Sequence, residues 1–578
     1  MARINTVQKS RSGSSPLVTT GPARTAEGGS GYASDAKSEA YRLGVNLMGN
    51  DPKGSFYEKG KAKDIRFTNL MSGIAVEDPS WAAGFLPWLR REANIRTASL
   101  MGTAAVIHAR LSDADSVRED ELLSSLGKPG INRYLAGHVP NRADEPAELA
   151  QYYLNVYGSL PKALKRGLGD AANRLWTEYA VMKYDTESHG MRMADLANLC
   201  HIKPKFIPQQ WELDKLPEDE ALDFFTSGNL NKVQLFMHII NRRYGNAEDF
   251  NSLPPMIKEN ISLRKDVANG DLSGLLNSER LRAAGMTWED ALSLAGSRVD
   301  KGKLWDALIL AGMVPIFATL RNLRNFDEAG ISQQAKEYVH AQLTNPEIII
   351  KSRILPFRFL TALENLNSYT WHSDIETATQ LATQNIPVLD GETVVLVDTS
   401  HSMDSRVSAH SKMTLSGMSA FFGGAFAAKN PATVKMFIFA DGTAPVPVKA
   451  GTSALKLAEE MHRRTGEVGH GTQTGLAIQK TVTKDTKRVM IFTDMQSFPS
   501  TGDPFVGWYG YSTGEHLRSL VKPETHMYGF DLAGYKTGDI PSGKGDRSHQ
   551  LGGMTDHTFK WIPLVEKGIN ADWPWIKK

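Results

Sequence analysis

Two stretches of this 578-residue chain carry side chains that can hold a charged ligand, one a cation and the other an anion. In Asp398-Thr399-Ser400-His401-Ser402, oxygen-bearing side chains stand at alternate positions. A turn there points Asp398, Ser400 and Ser402 the same way, and three hard oxygen donors suit Mg2+ or Mn2+ rather than thiolate-loving metals. Two later points supply matching groups: Thr472 within Gly469–Gly475, and Asp494 directly after Phe492-Thr493. Taken alone, Asp398 and the serines serve equally well as caps of a following helix, where Asp and Ser are favoured. Thr472 and Asp494 turn the balance toward a metal centre holding one divalent cation.

The anion-binding stretch is the run from Ser159 to Arg174. Lys162, Lys165 and Arg166 lie three and four residues apart, so on a helix they share one face. Arg174 follows about two turns later. Four basic residues and one acidic residue in that run give a local charge of +3. Such a patch contacts phosphates, which provides affinity but little sequence information. Its ordinary alternative is a solvated helix face. The chain as a whole carries only +2, with 66 basic and 64 acidic side chains, so it is no polycation and any nucleic-acid surface must come from local clustering.

The elements that must position these groups fall into two kinds. From Lys37 to Tyr369, apolar residues recur at three- and four-residue spacing, as in Trp81–Arg91, Glu148–Tyr157, Lys162–Tyr179, Leu230–Tyr244 and Leu304–Leu323. Helices joined by short turns over that length predict stacked pairs of the HEAT or armadillo type. After Trp371 short β-rich runs appear: Thr393–Val397, Val434–Ala440, Lys487–Thr493 and Thr525–Phe530. Helical stretches at Met413–Ala428 and Ala454–Arg463 separate them, which predicts a doubly wound α/β domain with ligands beyond the carboxyl ends of its strands. The expected organisation is a mobile, slightly basic tail over 1–35, a helical-repeat domain over 36–369, a linker over 370–385 and an α/β domain over 386–578. The tail is expected because Met1–Ser34 has almost no large apolar residues. The run Leu304–Leu320 is interrupted by Asp306 and Pro315 and reads as a buried helix, not a membrane span. One cysteine, Cys200, and no secretory signal point to a reducing, cytoplasmic setting.

The order Asp398-x-Ser400-x-Ser402, then Thr472, then Asp494, resembles the metal-ion-dependent adhesion site of von Willebrand A domains, over about Ile386–Leu564. The resemblance implies that Ser400, Ser402 and Thr472 bind the cation directly or nearly so, with Asp398 and Asp494 as direct ligands or just behind them. It also implies that an external acidic group completes the site. His401 stands where relatives often carry Gly, and Gln473 where they often carry Asp. The helical part has its own resemblance. Pro161–Arg166, Glu178–Tyr184 and His201-Ile202-Lys203-Pro204, with Trp305–Leu308, Arg321–Phe326 and Ser352–Leu360, look like the TROVE module of the Ro autoantigen family. That family implies a closed helical ring, with Lys183 and His201 on its outer RNA-binding surface near the central hole. The basic residue expected shortly after Lys183-Tyr184 is replaced by Asp185, Thr186 and Glu187. Lys203 joins the same candidate surface, while Arg321, Arg324 and Arg353 are assigned to packing between repeats.

The expected function is therefore a non-enzymatic, monomeric RNA-binding protein with one Mg2+ or Mn2+. Family resemblance implies small noncoding Y-like RNAs and the single-stranded ends of misfolded RNAs as ligands, and an exoribonuclease such as polynucleotide phosphorylase as a partner. The alternative is an adaptor that binds proteins through the metal centre. A hydrolase has little support, because two-metal chemistry needs more clustered carboxylates, and the chain has no Walker loop, Gly-x-Ser-x-Gly elbow or Cys/His zinc pattern.

Overall fold

The computed structural model describes residues 16–47, 56–206, 221–384, 386–407, 413–498, 516–543, 547–553, 556–566 and 572–576. The chain folds into a helical array followed by an α/β domain, as the change in apolar spacing predicts. Several helices of the array start where a short polar side chain can take up a free backbone N–H. Asp78 accepts from Trp81 N at 3.0 Å, Thr177 accepts from Ala180 N at 3.2 Å, and Ser332 accepts from Ala335 N at 3.2 Å. The run Leu304–Leu320 is not one helix. Lys301–Leu310 and Ile316–Ala329 are separated by a turn with Gly312 at φ +72° and Pro315 in extended conformation. Proline lacks the N–H that a continuing helix needs and fits its start instead. Among the described residues no helix is long and apolar enough to cross a membrane.

The array returns on itself at Arg353. Its guanidinium donates to Arg91 O and pairs with Glu92, while Asn94 Nδ2 donates to Arg353 O at 3.1 Å. These groups lie about 260 residues apart, so early and late helices touch. Arg353 thus packs the array, as expected for it.

The α/β domain contains strands β3 (Thr393–Asp398), β4 (Val434–Phe439), β5 (Thr443–Val446), β6 (Arg488–Thr493), β7 (His526–Asp531) and β9 (Ser548–Gly552), in the order β5-β4-β3-β6-β7-β9. All neighbouring pairs run parallel except β4 and β5. β3 and β6 are buried along their whole length, hence their unbroken apolar runs. Asp398, Asp494 and Asp531 therefore all sit at carboxyl ends of parallel strands, with Asp494 one residue beyond β6.

The N-terminal segment departs from expectation. Residues 1–15 lie outside the described residues, but 16–35 are not a loose tail. β1 (Thr19–Arg24) and β2 (Ser30–Ser34) form a hairpin, and β2 pairs with β8 (Thr537–Gly538) of the α/β domain. Thr19 N donates to Ser542 O at 2.8 Å, and Leu17 is buried. Backbone pairing and anchoring to a distant segment replace the apolar side chains this stretch lacks. The helix Ala36–Asn46 continues onto the same domain, where Arg42 and Asp531 form a fully buried ion pair at 2.7 Å. Tyr41 packs among Trp88, Trp561, Trp573 and Trp575, tying the two halves together. Gly84 is needed there, since a Cβ would lie 2.3 Å from the Trp575 ring.

Candidate metal centre and RNA-binding face

At the end of β3, Asp398 Oδ1 accepts from Ser400 N at 2.8 Å and Oδ2 accepts from Thr493 Oγ1 at 2.6 Å. The first bond curls the chain so that Ser400 Oγ and Ser402 Oγ come within 3.3 Å of each other. His401 N donates to His470 O at 2.9 Å, which holds this loop against the one carrying Thr472. Gly469 makes that second loop possible: its φ is +94°, and a Cβ would lie 2.2 Å from Asp441 Oδ2. Asp398, Ser400, Ser402, Thr472 and Asp494 are all buried. The helix-cap alternative fails here. Ser400 makes no capping bond to the short turn His401–Asp404, and the following helix Leu415–Lys429 is capped by Thr414.

The charges at this centre are costly without a cation. Burial pushes the Asp398 carboxyl up to about 6. Burial, and then the nearby charge of Asp398, pushes Asp494 well above the usual carboxylate range. Asp494 Oδ1 accepts from Gln496 N at 3.2 Å, while Oδ2 is buried with no hydrogen-bond partner. An orphaned buried carboxylate oxygen beside two converging hydroxyls is what a hard divalent cation would satisfy, so the residues fit such an ion. Asp539, buried and pushed up to about 7 by its burial, adds further negative charge that sequence reasoning did not single out. It lies beyond β8 and carries no spacing signal. His401 points outward, as expected, and pairs with Asp404 at 3.2 Å.

On the helical side, Lys162–Leu175 is one helix that buries Leu164, Gly167, Leu168, Ala171 and Ala172. Lys162 and Arg166 are exposed and Lys165 half-buried on the other face. Asn173 on the same helix clamps the segment beyond Cys200: its Nδ2 donates to Lys203 O at 3.0 Å and its Oδ1 accepts from Lys205 N at 2.7 Å. This brings Lys203 beside the patch and adds Lys205, which the sequence reading passed over. His201 is exposed and ends the helix Met193–Cys200 in left-handed conformation, φ 53°. It is a C-cap, not a core histidine. Two candidates differ. Arg174 Nη2 donates to Gly137 O at 2.8 Å and Pro140 O at 2.6 Å, covering the carboxyl end of the helix Ile131–His138, so it packs helices together and does not extend the phosphate patch. Lys183 belongs to a separate aromatic cluster, its ammonium 5.6 Å from the Tyr179 ring centre and 5.4 Å from that of Tyr184.

Arg321 and Arg324 also depart from the packing role expected for them. With Arg358 and Phe317 they line an open cavity of about 490 Å³ between Ile316–Ala329 and Phe357–Glu364. The spacing Phe317, Arg321, Arg324 on one helix face was the signal for it. Asp144, Glu148 and His189 bring metal-binding atoms within 4.8 Å of one another. Arg142 and Arg96 already neutralise that cluster through Asp144 and Glu148. Burial pushes the Cys200 thiol up to about 11, leaving it a poor nucleophile.

A family model for the TROVE domain matches residues 267–414, from the later helices through β3 and the Asp398–Ser402 loop. Telomerase protein component 1 of Mus musculus is 41% identical over 266 residues, which cover 42% of this chain and 10% of that protein. Its counterpart in Rattus norvegicus is 43% identical over 81 residues, covering 14% of this chain and 3% of that protein. The chain thus spans at most about a tenth of the length of these curated relatives. The crystal structure of the Deinococcus radiodurans RO (RSR) protein superposes with a TM-score of 0.54 at 14% identity, covering 92% of this chain and 100% of that one, which establishes the shared fold. The chain is thus similar to the TROVE domain over residues 267–414 and shares its fold with that solved Ro protein.

Proposed function

We propose that this chain is a non-catalytic RNA-binding protein that holds RNA through the helical face around Lys162, Lys165, Arg166, His201 and Lys203. The similarity of residues 267–414 to the TROVE domain supports an RNA-binding, ribonucleoprotein role. The observation that carries the assignment to this face is the clamp of Asn173 on the 203–205 segment. It adds lysines to a helix face that already displays Lys162 and Arg166 to solvent. Exposed cations of this kind bind phosphates by releasing counterions. Lys183, set against two tyrosine rings, offers a site where a base can stack. The proposed ligands are small noncoding Y-like RNAs and the single-stranded ends of misfolded RNAs, with an exoribonuclease as partner in RNA quality control.

At the other site, Asp398, Ser400, Ser402, Thr472 and Asp494 would hold one Mg2+ or Mn2+. The cation would neutralise the two buried carboxylates, and the two serine hydroxyls and Thr472 would orient toward it. Among the described residues, Asp531 is not available to a second ion for phosphoryl chemistry, because Arg42 already neutralises it.

Replacing Lys162, Lys165 and Arg166 together by Ala tests the RNA face. Affinity for a co-purified RNA should fall by about tenfold or more at near-physiological salt, and the slope of log K against log salt should shrink by about 2. An unchanged affinity and slope would remove the face from consideration. Sequencing the RNA that co-purifies with the protein identifies the ligand class.

A further inference from the structure

The outward side of the metal centre is covered by the chain itself. The Tyr57 hydroxyl donates to Glu27 Oε1. It also lies within hydrogen-bond reach of Ser402 and close enough to Asp494 to feel its charge. Burial, the bond to Glu27 and the charge of Asp494 together hold the phenol above its usual range. Glu27 sits in the turn between β1 and β2, and that turn is fastened to the loop following Asp494. Ala26 N donates to Gln496 Oε1 at 2.7 Å, and Thr25 Oγ1 donates to Ser497 O at 2.7 Å. The approach is so close that a Cβ on Gly29 would lie 2.2 Å from Ser497 O. From the other side, the Tyr57 ring packs edge-on against Tyr535 at 5.4 Å, and Phe56 packs edge-on against His401 at 5.6 Å. Phe56 and Tyr57 therefore lie on the very loop that carries Ser400 and Ser402.

The chemistry of the donor set gives this cover a purpose. Two carboxylates and three neutral hydroxyls leave a hard, six-coordinate cation short of at least one oxygen donor. Glu27 is half-buried, and among the described residues no basic side chain forms an ion pair with it. We infer that the Glu27–Tyr57 pair supplies the oxygen ligand on the cation's outward side, so that an external carboxylate reaches the metal only when the N-terminal hairpin lifts. This rests on the reading of Asp398, Ser400, Ser402, Thr472 and Asp494 as a metal centre. Docking of an external carboxylate at the metal centre is then closed in the resting chain.

The test uses the full chain, with Mg2+ affinity measured by calorimetry and Tb3+ as an oxygen-seeking luminescent probe. Glu27→Gln should weaken Mg2+ binding by about tenfold. Tb3+ emission lifetimes in H2O and D2O should report about one more bound water in that variant. Tyr57→Phe keeps the ring against Tyr535 and removes only the hydroxyl, so it should fold normally and show a smaller shift in the same direction. Acetate should displace probe-bound water in the variants and not in the parent protein. If both variants match the parent in Mg2+ affinity, water count and acetate response, the inference is wrong while the metal centre stands. If the parent binds neither Mg2+ nor Tb3+, the metal centre falls and the inference with it.

Discussion

The two candidate sites use charge in opposite ways. At the helical face, Lys162 and Arg166 are exposed to solvent, where water and salt already stabilise their charges. At the strand ends, Asp398, Asp494, Asp531 and Asp539 are 0%, 0%, 1% and 1% exposed, so each charge must find a partner, a cation or a proton. Asp531 has Arg42. Burial pushes the Asp539 carboxyl up to about 7 and Asp494 well above the usual carboxylate range. The difference teaches where binding energy is stored. Exposed cations cost the fold little and respond to ionic strength, whereas buried carboxylates cost the fold stability until they are neutralised and respond to pH.

The comparison can be broken most decisively at Arg42. Replacing it by Ala leaves Asp531 buried and alone, which should lower unfolding stability by about 3 to 5 kcal/mol. Denaturant unfolding measures this, and a loss below about 1 kcal/mol would show that the strand ends are far better solvated than the packing indicates.

An effect of similar size is a pH dependence in the same domain. His549 is buried at 0% exposure, and burial holds it down to about 3. Its folded value lies below its unfolded one, so its contribution to stability is present above about 6.5 and is lost as pH falls toward about 3. The loss is about 1.4 kcal/mol per pH unit inside that window. His549→Phe keeps the stack on Tyr528 and should flatten that part of the stability profile; an unaltered profile would assign the acid sensitivity to other groups.

Smaller still is the effect expected on the helical face. The triple Ala change at Lys162, Lys165 and Arg166 should move unfolding stability by less than about 0.5 kcal/mol while it weakens RNA binding. A large stability loss would mean that these cations serve packing after all, as Arg174 does. A comparably small effect is expected at Arg353, whose pairing with Glu92 is over a third exposed on both sides. Arg353→Ala should cost less than about 1 kcal/mol, and a larger loss would mark the meeting of early and late helices as a keystone of the array.

Much of the site was legible because strand and loop spell it locally. The apolar run Thr393–Val397 can only be a covered strand, and Asp398-x-Ser400-x-Ser402 follows it at once. The basic face was legible for the same reason, since Lys162, Lys165 and Arg166 share a helix whose buried face is equally plain. What escaped the reading depends on distant partners. Thr19–Arg24 and Ser548–Gly552 lack the composition of strands, and each becomes one by pairing with a neighbour already in place. Arg174 looked like a continuation of the basic run until the carboxyl end of Ile131–His138 was found beneath it. Glu27 and Tyr57 carried no signal at all.

The sequence by itself determined the two fold classes, the order of the oxygens that converge at the strand ends and the face on which the lysines stand. These follow from backbone periodicity and from side-chain chemistry over a few residues. Only the tertiary structure decided that the first strands belong to the last domain, that the array meets itself at Arg353 and that Tyr57 lies over Ser402. Those contacts join residues that are separated by hundreds of positions, and the geometry that makes them favourable exists only once the sheet and the helical array have formed.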